Sequence, residues 1–244
     1  MNDRHSAALF STTFLMASLC LGGAAAAQAT FPVGEIVATP KVVQTGVRPN
    51  LVWSINIPSS VKDFVSIVRP ATIVASRNMV GDVRILGAGV TSPYPNGATH
   101  YHETMCQIRY NGAPTWTTIF DGLNTDPVVQ AQGIVKTFSV STTQGDAINF
   151  AGCYNSSKSW SPLRTSICGD YVVALTNGDA CPRGIPDHSS PSLKSFLKPY
   201  LDESNRVKIG PMDVIVFMEL THADPADPGF DGQDLVLLIT FRNP

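Results

Sequence analysis

Apolar and polar residues alternate with a period of two along much of this chain. Leu51, Trp53, Ile55 and Ile57 alternate with Val52, Ser54 and Asn56, the pattern of a strand with one face in a core. Similar short runs follow at residues 64–68, 72–75, 80–86, 101–110, 116–120, 134–140, 147–154 and 171–176. Turn formers separate them: Asn96-Gly97, Asn111-Gly112, Asp121-Gly122, Gln144-Gly145-Asp146 and Asn177-Gly178-Asp179. Glycine reaches positive φ at no steric cost, and Asn and Asp bond their own backbone in turns. About ten strands at this spacing predict an all-β fold, a single β-sandwich of jelly-roll or immunoglobulin-like type. Pro58, Pro70 and Pro114 lack an amide donor, so their segments read as edges or breaks.

One short helix is predicted over residues 190–201. Ser190 caps it, Pro191 suits its first turn, and Leu193, Phe196, Leu197, Tyr200 and Leu201 recur at helical spacing. Pro199 keeps it short or kinked. Two runs near the C-terminus, residues 214–218 and 235–239, are apolar at every position. Strands of that kind are central in a sheet and covered on both faces. The outer cover is the helix or, alternatively, a second subunit.

Between these runs lies an acidic connection. From Ile209 to Phe241 there is no Lys or Arg, yet Asp213, Glu219, Asp224, Asp227, Asp231 and Asp234 all fall there. A hairpin would bring Glu219 and Asp234, at facing strand ends, beside Asp224, Asp227 and Asp231 in the loop. Hard cations such as Ca²⁺ take roughly six to eight oxygen ligands, so these five acids form a candidate Ca²⁺ site. The alternative is a solvated loop whose Asp224-Pro225 and Asp227-Pro228 pairs make turns.

His100-Tyr101-His102 is a second candidate. Residues two apart on a strand share a face, so both imidazoles could hold one metal. The motif resembles the H-x-H of metal-binding cupins, which implies a metal-dependent enzyme and requires a further His; His188 and His222 are available. There is no G-x-S-x-G elbow for a nucleophilic serine.

Residues 1–29 read as a secretory signal: Arg4 and His5, an apolar stretch over 7–23, then Ala27-Gln28-Ala29 before Thr30. The stretch is too short and too interrupted by Ser and Thr for a stable span, so no integral membrane segment is expected after cleavage. Residues 30–244 form one predicted domain. Removing the signal takes away Asp3 and Arg4, so the net charge stays at −2. Nothing in that charge suggests a nucleic-acid partner. Four cysteines remain, Cys106, Cys153, Cys168 and Cys181, and an even count in an exported chain favours two disulfides. Cys153–Cys168 would staple the polar loop 155–164. Cys106–Cys181 follows by elimination, because the strand over 171–176 holds Cys168 and Cys181 apart.

The segment Phe217-Met218-Glu219-Leu220, followed by Phe230-Asp231-Gly232-Gln233-Asp234-Leu235-Val236, is similar to the acidic ending of LruC-type domains. The larger block 209–241 also resembles uncharacterised exported bacterial β-rich proteins. Gly232 and Gln233 separate Asp231 from Asp234, where the LruC pattern has Asn directly before Asp. The resemblance implies a secreted β-rich protein and no activity. The combined expectation is an exported, non-enzymatic structural or ligand-binding module, periplasmic, cell-surface or extracellular. A cupin-like enzyme and a self-assembling surface protein, with a homo-oligomer or a cell-surface partner, are the alternatives.

Overall fold

The computed structural model describes residues 33–37, 52–56, 59–94, 96–156, 159–181, 196–227 and 229–244. The predicted signal and the first half of the predicted helix, residues 190–195, lie outside these residues. The described chain is mostly strand. First come β1 (Val33–Val37), β2 (Val52–Asn56), β3 (Val65–Val68), β4 (Thr72–Ala75) and β5 (Met79–Ala88). Then follow β6 (Thr91–Pro93), β7 (Thr99–Tyr101), β8 (Thr104–Arg109), β9 (Thr117–Gly122) and a one-turn helix α1 (Pro127–Gln130). The remainder are β10 (Ile134–Val140), β11 (Ala147–Tyr154), β12 (Arg164–Thr165), β13 (Val172–Thr176), β14 (Asp213–Met218) and β15 (Leu235–Arg242).

Two antiparallel sheets carry the fold. One has the order β10-β5-β15-β14-β13; the other runs β3-β4-β11-β8-β9, with β12 added beside β4 on β11. Among the described residues, strands β1 and β2 pair only with each other, as do β6 and β7. The facing sides of the two sheets bury one core, to which Ile73, Ile108, Ile148 and Phe150 come from one sheet and Val83, Val216, Leu237 and Phe241 from the other. This is the sandwich that the period-two pattern predicts. The Asn111-Gly112 turn also forms as expected. Both residues have positive φ, 54° and 66°, and Ala113 N–H donates to the Tyr110 carbonyl, the geometry of a type I′ turn.

The C-terminal hairpin is central, as its two-sided apolar pattern requires. Val214, Val216 and Met218 face the inter-sheet core, while Ile215, Phe217 and Val236 enter a second cluster on the outer face. That outer face is covered by this chain itself, through Phe196, Leu197, Tyr200, Leu201, Val207 and Ile209. The cover differs in form from the predicted helix. Within the described part there is only a single 3-10 turn, Lys198–Tyr200, with Pro199 inside it. The sole α-helix among the described residues is α1, which hydrophobic periodicity misses because one turn is too short to show it.

The expected disulfides are not formed; all four cysteines are free thiols. Cys106 lies in the inter-sheet core, whereas Cys181 packs into the outer cluster. The whole β10-to-β13 sheet therefore stands between them. Cys153 is buried on β11, and Cys168 is exposed in the turn after β12, its Sγ 3.5 Å from Thr165 Oγ1. Burial, with Cys153 nearby, pushes the Cys106 thiol far up, and burial with Asp121 nearby raises Cys153. Both are held as neutral, unreactive thiols.

The flanks of the sandwich differ. Along one, β9 connects through α1 to β10, and these two edge strands touch. Asp126 Oδ2 accepts from Leu123 N–H, and Asn124 Oδ1 accepts from Ala88 N–H, tying this connection to β5. Along the other flank the edges are β3 and β13. They are bridged at one end by Lys62 Nζ and Asp179 Oδ1, 2.7 Å apart.

Candidate functional site

The register of β14 and β15 assembles an acid pair. Met218 pairs with Leu235, so Glu219 and Asp234 are the next residues outward and face each other. Both are buried, at 0 % and 8 % exposure. Their oxygens are taken up by the connection itself. Glu219 Oε1 accepts from His222 N–H at 2.9 Å and Thr221 Oγ1 at 2.9 Å, and Oε2 accepts from Gly232 N–H at 3.1 Å. Asp234 Oδ2 accepts from Leu220 N–H at 2.7 Å and Thr221 N–H at 3.0 Å.

The two carboxyl groups also bond each other, and so share one proton. Burial and then the adjacent Glu219 charge raise Asp234 well above its usual range. For Glu219, burial opposes ionisation but is outweighed by the Asp234 hydrogen bond and the amides of His222 and Gly232, which hold it low. Asp234 is therefore the acid and Glu219 the carboxylate. His222 Nδ1 lies 3.3 Å from Glu219 Oε1, and its Nε2 lies 3.8 Å from Asp227 Oδ1.

The other loop acids do something else. Asp224, Asp227 and Asp231 each accept from the amide two residues on, at Ala226, Gly229 and Gln233. These are Asx turns. The five acids thus divide into a buried proton-sharing pair and three turn formers. Among the described residues, no group of three or more His, Cys, Asp or Glu side chains is disposed to hold a metal. Thr221 and His222 complete the cluster, and sequence reasoning did not place them in it. Their signal was adjacency, a hydroxyl and an imidazole directly after a strand-end glutamate.

His100 and His102 do lie together, with ring centroids 4.8 Å apart, but edge to face at 80°. His102 Nδ1 is 3.1 Å from the Asn155 carbonyl and Nε2 is 3.0 Å from Ser92 Oγ. A carbonyl only accepts, so Nδ1 carries the proton and Nε2 accepts from the serine. Both ring nitrogens are engaged. His100 Nδ1 bonds Tyr94 Oη at 2.7 Å. The pair knits β6, β7 and the end of β11 together.

The open flank holds a groove of about 880 Å³. Ile67, Arg69 and Pro70 form one wall; Ile167, Cys168 and β13 form the other. Backbone register decides what β13 offers. Tyr171 carbonyl accepts from Glu219 N–H at 2.8 Å, so residues 171, 173 and 175 bond toward β14. The amides and carbonyls of Val172 and Ala174 then point the other way, toward the groove. Thr176 N–H also points there and is taken by Asp179 Oδ2 at 2.8 Å. Val172 and Ala174 have no backbone partner on that side among the described residues. By the same logic, Ser76 N–H donating to the Phe64 carbonyl turns the backbone of Val65 and Ile67 on β3 outward. Neither edge was legible as a site beforehand, because a groove between two strands distant in sequence leaves no local pattern. Comparison of the chain with protein-family models, with curated proteins and with solved structures gives no match.

Proposed function

We propose that this protein is an exported, non-catalytic ligand-binding β-sandwich module whose ligand seat is the open flank between β3 and β13. The observation that carries this reading is the groove of about 880 Å³ between two sheet edges, on a sandwich whose opposite flank is closed by the β9–α1–β10 connection. Ligand sites are concave, and this groove is a concavity whose lining mixes apolar Ile67, Pro70 and Ile167 with charged Arg69, Asp170 and Asp179. The acid pair serves as a clamp that fastens the 220–234 connection by its backbone amides. The similarity of the C-terminal block to LruC-type domains supports export and a β-rich fold, and it is neutral on the ligand.

The flank reading is tested with the full chain as secreted, screened against a linear peptide library and a glycan array. Ile167 is 42 % exposed and Arg69 is exposed too, so Ile167→Asp and Arg69→Glu leave the fold intact. Each is expected to weaken a genuine ligand by about tenfold, as loss of one well-formed contact does. Ligands indifferent to both substitutions, or no ligand of either class, would overturn the reading.

The clamp reading makes a separate prediction about calcium. With Glu219 and Asp234 filled by N–H donors and their shared proton, a cation would have to displace those bonds. Thermal melts in excess Ca²⁺ and in chelator are expected to coincide. A rise with Ca²⁺, as a ligand of the native state produces, would overturn the clamp reading in favour of a calcium site at Glu219, Asp224, Asp227, Asp231 and Asp234.

A further inference from the structure

We infer that the Glu219–Asp234 pair is a pH-operated latch, which holds the 220–234 connection against Tyr171 at the end of the groove and releases it when the shared proton leaves. The consequence for ligand binding deepens the binding-module reading and rests on it; the latch itself does not.

Geometry brings the two carboxyl groups together. Thr221 N–H reaches Glu219 Oε1 at 3.2 Å and Asp234 Oδ2 at 3.0 Å, and Thr221 Oγ1 reaches the same two oxygens at 2.9 and 3.1 Å. Neither acid has an ion pair with Lys or Arg among the described residues, and no Lys or Arg falls between Ile209 and Phe241. The titratable side chains facing the pair come from the connection itself. They are His222 at Glu219 Oε1, Asp227 behind that imidazole and Asp231 beside Asp234. Gly89 N–H donates to the Asp234 carbonyl, and the Tyr171 carbonyl accepts from Glu219 N–H. Gly152 lies against Leu220 and Leu235. None of these three residues brings a carboxylate or a basic group, so a proton is what neutralises the second charge.

With that proton in place, the N–H groups of Leu220, Thr221, His222 and Gly232 all end on the two acids. Without it, two buried carboxylates repel each other at contact. Opening the connection to water relieves both. Strands β14 and β15 stay paired from Met218–Leu235 inward, so the release is local. Phe230 carries it to the groove. Its buried ring lies 6.2 Å from the Tyr171 ring. A Cβ at Gly169 would meet that same Tyr171 ring at 2.9 Å, so Gly169 rests against it. Gly169, Asp170 and Val172, the residues around Tyr171 in sequence, all line the groove. The connection is thus the two-state element, latched or released, and its state reaches this end of the groove. Affinity at the groove is expected to fall as pH rises.

Amide hydrogen exchange on the full chain, corrected for the pH dependence of intrinsic exchange, reads the latch without a ligand. Leu220, Thr221, His222 and Gly232 are expected to be protected about tenfold less, or weaker still, than Val216 and Ile239 in the central strands. Their opening should grow about tenfold per pH unit, the mark of one proton lost, from a free aspartate's 3.8 toward the pair's own value. Asp234→Asn keeps the bonds and has no proton to lose, so its slope should be flat. His222→Gln should keep the slope. The Gly169 and Val172 amide resonances should move with the same transition in the natural chain. That movement should be absent in Asp234→Asn and mostly lost in Phe230→Leu, which removes the ring contact and leaves the acids in place. A flat slope in the natural chain, a slope that survives Asp234→Asn, or one that vanishes in His222→Gln would overturn the latch. Connection amides as protected as Val216 and Ile239 would overturn it too, because the connection would then open only with the whole fold. Groove resonances that ignore the transition would overturn the coupling to the groove. An empty ligand screen would overturn the binding module and leave the latch standing.

Discussion

Glu219→Ala is expected to destabilise the protein by about 3–5 kcal/mol, because it strips a buried acceptor from several donors at once. His222 N–H, Gly232 N–H and the Asp234 carboxyl all lose their partner. Glu219→Gln is little better, since its amide NH₂ must face a backbone N–H at one lobe or the other. Asp234→Asn is the informative contrast. A neutral amide copies the protonated acid: its oxygen accepts from Leu220 and Thr221, and its NH₂ donates to Glu219. Asp234→Asn should therefore be as stable as the natural protein at neutral pH, or more so. The pH dependence has a definite sign. Asp234 is raised in the folded state, so its contribution is full below a free aspartate's 3.8 and is lost as pH rises toward its folded value. Glu219 is lowered, so its contribution is present above a free glutamate's 4.5 and is lost as pH falls through its folded value. The Asp234 shift is the larger, so the pair alone makes stability decline from mildly acid pH toward neutrality. Asp234→Asn should remove that decline. Urea melts of both proteins from mildly acid to mildly alkaline pH measure it; parallel curves would refute the shared proton.

Gly87→Val should lower stability by about 2–4 kcal/mol, by overpacking and by unseating a cover residue. A Cβ at Gly87 would overlap the Phe196 ring itself. That ring belongs to the cluster shielding Leu86, Phe217 and Val236 on the outer face. Displacing it bares an apolar face on a central strand pair. The expected signs are a melting temperature lower by roughly 5–15 °C for a chain of this size and increased binding of an apolar dye. A double-mutant cycle isolates the cause. In a Phe196→Ala background the ring is gone, so Gly87→Val should cost much less than in the natural chain. Equal costs in both backgrounds would mean that Phe196 does not sit over Gly87.

The same cover shows what local pattern can and cannot reveal. Residues 214–218 and 235–239 read as central strands, because runs of that length are too short for a buried helix and a strand apolar at every position must be covered on both faces. Nothing local distinguished a cover made by this chain from one made by a second subunit. The structure supplies it from residues 196–209, through a 3-10 turn and extended chain in place of the full helix. Leu197, Tyr200 and Leu201 were recognised as a buried face from their spacing; Leu197 is buried and Tyr200 and Leu201 are half-buried against the same cluster, but Pro199 and the sheet below set the backbone.

Period-two alternation, turn chemistry and strand-end acids are local properties, and they determined the all-β sandwich, the Asn111-Gly112 turn and the opposition of Glu219 to Asp234. Only the tertiary structure decided the rest, because each remaining feature depends on distance between residues remote in sequence. It separated Asp224, Asp227 and Asp231 into Asx turns, and it put one proton between Glu219 and Asp234 by excluding water from both. It left the cysteines unbonded, with a sheet between Cys106 and Cys181. It closed one flank through α1 and set β13 as a sheet edge beside β3. An edge strand and a central strand can share the same apolar sequence; hydrogen bonding to a neighbour, which the sequence of neither strand encodes, makes the difference.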